Sequence, residues 1–402
     1  MDNPPLPSEI LYQIFEYFCL HCQEKHSVSH EQILHNKTDK SRRALLSLSR
    51  TCKNWGCIAQ NVLHHYFKHS DDRRQILFCR TICENPELGE RLQVASLHRS
   101  AGIDHHLFAQ LWFKESMARY IHLLGQGPLK LHSCTVSWGD YIAPIILLRA
   151  PNLKHLVVHG PYNPSIFEEF SMEAVLRNRA LPQKLESLSV GQQEISCLWH
   201  LEPRVRTDLD ALGGFLMRLE NLETLSISRP NLERLPEKLP LQKLRRLRIG
   251  NACLSKDTLQ RLINSTGSLE EFVYREIEDA AESTVTRLVT SQEIFEMLIP
   301  MRVRLKRVVL RMYSSERPPT ALAQLVNLQQ LRINAGDKFS DILNLPPTPF
   351  NFEHRSMVSV YYTNHLASST KYRRSSNGYS KSRLSDAAIQ ETIQQSSENF
   401  SS

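Results

Sequence analysis

One six-residue pattern of apolar and polar positions returns along most of this chain: leucine, two variable residues, an apolar residue, one variable residue, and another apolar one. It reads Leu153-Leu156-Val158, Leu185-Leu188-Val190, Leu222-Leu225-Ile227 and Leu244-Leu247-Ile249. It continues as Leu269-Phe272-Tyr274, Leu305-Val308-Leu310 and Leu328-Leu331-Ile333, with a weaker version at Leu131-Cys134-Val136. First leucines of the seven clear copies lie 32, 37, 22, 25, 36 and 23 residues apart. Amphipathic stretches such as SKDTLQRLI (255–263) and SQEIFEMLI (291–299) fall between copies, each opening with Ser, a good helix cap. A short strand followed by a helix, stacked repeatedly, predicts an α/β chain over residues 91–335: a solenoid whose strands form a parallel sheet on its concave side. The competing reading is an ordinary α/β domain with leucine-rich strands, and seven recurrences of one hexad weigh against it.

The N-terminus follows a different period. On a helical wheel of residues 9–18, Ile10, Leu11, Ile14, Phe15, Tyr17 and Phe18 fill an arc of roughly 160°, with Glu9, Tyr12, Gln13 and Glu16 opposite. So broad a face on so short a helix can touch two partners at once. Pro7 suits the helix start, and Glu9 sits where the helix dipole favours negative charge. A second segment repeats at three- and four-residue steps through Leu45, Leu48, Cys52, Trp55, Ala59, Val62 and Tyr66, as one helix or as two broken near Gly56. Periodicity alone reads these segments as a small helical hairpin capping a larger domain. Residues 68–90 read as a helical connector, where Pro86 breaks the helix and an extended segment follows.

The C-terminal 336–402 drops the hexad. Eleven of the residues from 368 to 402 are serine, which predicts a largely disordered tail, and the apolar stretch from Met357 to Tyr362 is a candidate cap for the last repeat.

Composition narrows the class. An apolar fraction of 41% fits a folded chain, and the apolar stretch YIAPIILL (141–148) is too short to span a bilayer. With an acidic, proline-bearing start in place of a secretory leader, the expected location is cytoplasmic or nuclear. Nine cysteines, an odd and scattered set, read as mostly reduced core residues rather than a disulfide framework. The net charge of +7 is too mild to imply nucleic acid.

Residue identities at the N-terminus carry more than their period. Leu6-Pro7-x-Glu9-Ile10-x3-Ile14-Phe15-x-Tyr17-Phe18, then Leu46-x-Leu48-x3-Cys52-Lys53-x-Trp55 and Ile58-Ala59, resembles the F-box, in the fungal form with a long insert. The match covers most of residues 5–67 outside an insert at 19–44, within an F-box domain expected over residues 1–67. The hexads resemble the irregular leucine-rich repeats that follow an F-box in one branch of that family. By that resemblance, Leu6, Pro7, Ile10 and Ile14 would face a Skp-type adaptor and, through it, a cullin–RING ubiquitin ligase. Leu46, Leu48 and Cys52 would pack the second helix, some of them also in the interface, while Trp55, Ile58 and Leu63 would pack internally. The repeats would bind the protein to be ubiquitinated. A rival of another class is a non-ligase scaffold whose F-box-like cap is merely folded onto the repeats.

The insert holds Cys19-x2-Cys22-x3-His26-x3-His30. The ligand types suit zinc, but three residues between the Cys and His pairs fall short of the usual spacing of about twelve, so no metal or other cofactor is expected. His64-His65 and His105-His106 lie in helical pattern and read as partly exposed surface. No phosphate-cradling GxxxxGK[ST], HExxH or GxSxG occurs, so the chain is not expected to be an enzyme.

Residues between the apolar hexad positions point outward along the sheet. Among them the first three copies hold no arginine. The last four hold six, Arg246, Arg248, Arg275, Arg307, Arg311 and Arg332, against one acid, Glu271. Guanidinium groups pair bidentately with carboxylate or phosphate, so this half of the face suits an acidic or phosphorylated protein segment; the alternative is a solvated basic face without a ligand.

Overall fold

The computed structural model describes residues 6–23, 37–68, 72–98, 145–159, 183–191, 207–208, 215–228, 230–231, 238–252, 254–276, 289–312 and 324–335. All of these belong to one unit, Met1–Tyr361. The weak hexad at 131–136, His26, His30, His105-His106 and the tail from 336 lie outside the described residues.

Among the described residues, four helices open the chain: α1 (Ser8–Glu16), α2 (Leu20–Gln23), α3 (Lys37–Leu48) and α4 (Lys53–Leu63). Leu11, Phe15, Cys19, Leu45, Ile58, Ala59 and Val62 form their shared core, with Trp55 and Leu63 packed partly buried against it. The rings of Phe15 and Trp55 meet edge to face at 5.8 Å. The break between α3 and α4 falls at residues 49–52, with an extended Cys52 at the N-cap, and not at Gly56. Gly56 sits inside α4, where a Cβ would come within 2.9 Å of the Ser49 carbonyl oxygen. Its role is close approach of two helix ends, not helix breaking.

Nine strands form one parallel sheet: β1 (Tyr66–Lys68), β2 (Val94–His98), β3 (His155–His159), β4 (Ser187–Val190), β6 (Thr224–Ser228), β8 (Arg246–Ala252), β9 (Glu271–Glu276), β10 (Arg307–Met312) and β11 (Gln330–Ala335). Each pairs with the next along the chain, while β5 (Thr207–Asp208) and β7 (Pro230–Asn231) make a separate two-stranded ladder. The register aligns the hexads: Leu156, Leu188, Leu225, Leu247, Phe272, Val308 and Leu331 stand in one buried row. Val158, Val190, Ile227, Ile249, Tyr274, Leu310 and Ile333 make the next. First leucines are buried beneath both rows, so each copy contributes three layers to one continuous core.

Backbone bonding repeats with the same regularity. The residue after each first leucine donates its N–H to the matching carbonyl of the preceding strand, from Lys154→Gln93 to Gln329→Lys306, at 2.8 Å throughout. Three asparagines placed just before a first leucine tie consecutive copies together at 2.7 Å: Asn152 to the Glu90 carbonyl, Asn221 to that of Gln183, Asn327 to that of Val303. Lys184 and Lys243 in turn donate to the Asn152 and Asn221 side chains.

The sheet begins earlier than the 91 boundary expected for the repeats. β1 pairs with β2, so the stretch read as a connector is the helical link between two sheet strands: α5 (Asp72–Glu84), then α6 (Pro86–Glu90), which Pro86 opens after ending α5. Leu92-x2-Ala95-x-Leu97 is a further hexad, all three residues buried; alanine at the middle position hid it. Two late helices, α7 (Lys256–Asn264) and α8 (Ser291–Leu298), match the amphipathic stretches between hexads. Ser255 caps α7, but Thr290 rather than Ser291 caps α8, in a reciprocal box with Glu293. Ser291 lies one residue inside that helix and is buried.

Candidate functional site

The broad apolar arc of α1 divides between two environments. Leu11 and Phe15 turn into the helical core, whereas Ile10 and Ile14 remain 42% and 43% exposed and Tyr17 is 72% exposed. Leu6, just ahead of the extended Pro7 N-cap, is 53% exposed, and Ile10 and Ile14 share one side of α1 by their four-residue step. Leu46 on α3 is also exposed, as are Pro7 and Cys52. Leu48 differs: it is half-buried against the helical core. Tyr12, placed by its wheel angle among the solvent-facing residues, is half-buried, because its hydroxyl bonds His65.

The arginine-bearing face is less open than a count of six against one suggests. Glu271 on β9 lies beside Arg246 on β8 and Arg307 on β10 in the sheet register. Its carboxylate accepts from Arg248 at 3.0 Å and from Arg307 at 3.3 Å, so one acid engages two of the six arginines. Arg246, Arg275, Arg311 and Arg332 are half-buried along neighbouring positions. Below them, hydrogen bonding from Lys306 is the main cause that holds the Glu270 carboxyl below its ordinary range. At the other end of the sheet the equivalent positions are partly closed: Val157 and Ser187 are buried.

His65 corrects the expectation of partly exposed surface, since it is 4% exposed, while neighbouring His64 is half-buried with burial lowering its pKa. The Cys19 and Cys22 thiols cluster with His65, whose Nδ1 lies 3.4 Å from the Cys22 sulfur. Hydrogen bonding from Cys22 draws the Cys19 thiol well below its ordinary range, against the opposing effect of burial. Cys22 is correspondingly pushed up. His155 on β3 packs its ring 6.4 Å from that of His21, and burial, then the charges of His21 and Lys154, lowers its pKa to about 4. Of the described cysteines, Cys19, Cys79 and Cys83 are buried and Cys22 half-buried, whereas Cys52 and Cys57 are exposed and so are not core residues.

Comparison with family models and with curated protein sequences returns no match for this chain. Among the described residues, no helix is long and apolar enough to cross a membrane.

Proposed function

We propose that this chain is a non-catalytic substrate receptor of a cullin–RING ubiquitin ligase. On this reading, residues 1–67 are an F-box with a long insert, and the nine-stranded sheet is the concave side of a leucine-rich-repeat solenoid. The F-box docks on a Skp-type adaptor in the cytosol or nucleus. The observation that carries the reading is the row of uncovered apolar side chains: Leu6, Ile10 and Ile14 stay outside a helical core that Leu11 and Phe15 already fill. Covering a half-exposed leucine or isoleucine is worth about 1 kcal/mol, so a second protein has something to gain there.

The mechanism is proximity. One end of the chain engages the ligase and the other holds a protein substrate, with an acidic or phosphorylated segment as the chemistry that suits Arg246, Arg275, Arg311 and Arg332. A lysine of that substrate is kept at high effective concentration beside the charged ubiquitin-conjugating enzyme. The chain contributes geometry and selectivity and makes no bond itself. Sequential strand order and the in-register hexad rows support the repeat reading over an ordinary α/β sheet.

The test is co-purification of the full chain with a Skp-type adaptor, compared with Leu6→Ala plus Pro7→Ala. Loss of the adaptor from a variant that melts like the parent is the expected result. A folded parent that retains no adaptor overturns the reading and leaves a non-ligase repeat scaffold. Reconstituted ubiquitin transfer then separates docking from turnover.

A further inference from the structure

We propose that Cys19, His21, Cys22 and His65 form a zinc site that fastens the N-terminal helices to the start of the sheet. The ligand atoms of these four side chains lie within 4.8 Å of one another, with Cys19 and His65 buried and the other two half-buried. Around a tetrahedral zinc, with Zn–S about 2.3 Å and Zn–N about 2.0–2.1 Å, adjacent sulfur and nitrogen ligands stand about 3.6 Å apart. The Sγ of Cys22 is 3.4 Å from Nδ1 of His65 and 3.6 Å from Nδ1 of His21. Both imidazoles therefore turn the same ring nitrogen toward the sulfur, at the separation that a shared metal requires.

The surroundings fit as well. The other nitrogen of His65, Nε2, is engaged by the Tyr12 hydroxyl at 3.1 Å, the kind of outer contact that orients a ligating imidazole. Two thiolates and two neutral imidazoles balance the charge of Zn²⁺. Glu16 lies 3.8 Å from the Cys22 sulfur and accepts from its thiol while no metal is there.

Three of the four ligands come from Cys19 and the short helix α2 that follows it, and the fourth lies 43 residues beyond Cys22. His65 is also where the helices join the sheet, because its carbonyl accepts from the N–H groups of Gln93 and Val94, each at 3.0 Å. A metal there would couple the seat of α1 directly to β1 and β2. The site stands on these residues alone and does not depend on adaptor docking. It also differs from the quartet that chain spacing suggests, since it uses His21 and His65 in place of His26 and His30.

The experiment is titration of the reduced, chelator-stripped full chain with Co²⁺, followed by displacement with Zn²⁺. The expected result is one Co²⁺ per chain with thiolate-to-cobalt charge transfer and the visible bands of tetrahedral cobalt, together with a rise in melting temperature on adding Zn²⁺. Cys22→Ser, His21→Asn and His65→Asn should each abolish the bands. Cys52→Ser, Cys57→Ser and the pair His26→Ala, His30→Ala should keep them. Tyr12→Phe should weaken Zn²⁺ affinity by roughly 10-fold, within the range for an outer-shell partner. Far-ultraviolet circular dichroism of each metal-free variant against the metal-free parent separates lost ligation from lost folding. If Cys22→Ser does not fold, His21→Asn, on a half-buried side chain, carries the same test. The proposal is overturned if the folded parent shows no thiolate–cobalt bands. It is equally overturned if the bands survive His21→Asn and His65→Asn, if they vanish with His26 and His30, or if the parent closes a Cys19–Cys22 disulfide and takes no Co²⁺ after reduction.

Discussion

The Tyr12 hydroxyl stands 3.1 Å from Nε2 of His65, joining residues 53 positions apart. It links the inner side of α1 to the junction between the helices and the sheet, on the side of the helix opposite Ile10 and Ile14. Burial, and then the charge of Glu16, raises the Tyr12 pKa, so the phenol stays protonated at neutral pH. Removing the hydroxyl with Tyr12→Phe is expected to destabilise the chelator-treated chain by about 1 kcal/mol in chemical denaturation. An unchanged midpoint would show that the bond contributes nothing to the fold.

Neighbouring positions on α1 should respond in opposite ways. Ile10→Asp with Ile14→Asp changes exposed side chains, so stability should shift by no more than about 0.5 kcal/mol per site while adaptor retention is lost. Phe15→Ala, which empties the helical core, should cost about 3–5 kcal/mol and lose the adaptor through unfolding. Calorimetry beside co-purification distinguishes the two. Adaptor retention by the folded double aspartate variant would rule out this ridge as the docking surface.

Glu271 should behave as the anchor of the basic face. Replacing it with Ala leaves Arg248 and Arg307 without their shared carboxylate, and a loss of about 1–2 kcal/mol is expected for pairs that keep partial solvent access. Charge neutralisation by Arg246→Gln with Arg311→Gln should reduce capture of protein substrates by a chain that calorimetry shows still folds, read by proximity labelling in cells. The labelled set staying constant would remove the arginine face from substrate selection.

Each asparagine between hexads should act as a local tie. Asn221→Ala deletes a bond to the Gln183 carbonyl and one from the exposed Lys243 ammonium, with an expected cost of about 1 kcal/mol. Hydrogen exchange should rise first in β4 and β6. Uniform loosening of the whole sheet would contradict so local a role.

Acid should weaken the α8 start. Burial raises the Glu293 pKa, but hydrogen bonds from Thr290 and Lys256 outweigh it, leaving the carboxyl below its ordinary value of 4.5. A folded pKa below the unfolded one means the stabilisation is complete above pH 4.5 and is lost as pH falls through the folded value. Glu293→Gln should therefore lower stability at neutral pH and flatten the decline in acid, as followed by urea midpoints across that range. Parallel acid limbs for parent and variant would exclude Glu293 as a contributor.

Much of this architecture was legible in the chain because alternation and helical period are local properties. Leu225 and Ile227 must face one side and Ser226 the other once the segment is extended, whatever surrounds it. The same logic marked α1 as too apolar for a single contact. Ala95 shows the limit: a small residue in a buried row is silent in a pattern read through leucine. Tertiary structure alone decided which half of the α1 arc is covered, that Glu271 reaches arginines on both flanking strands, and that His65 stands against Cys22. Periodicity encodes the direction a side chain takes from its own backbone. Which distant residue waits there depends on how separate elements pack, and that information is spread over the whole fold.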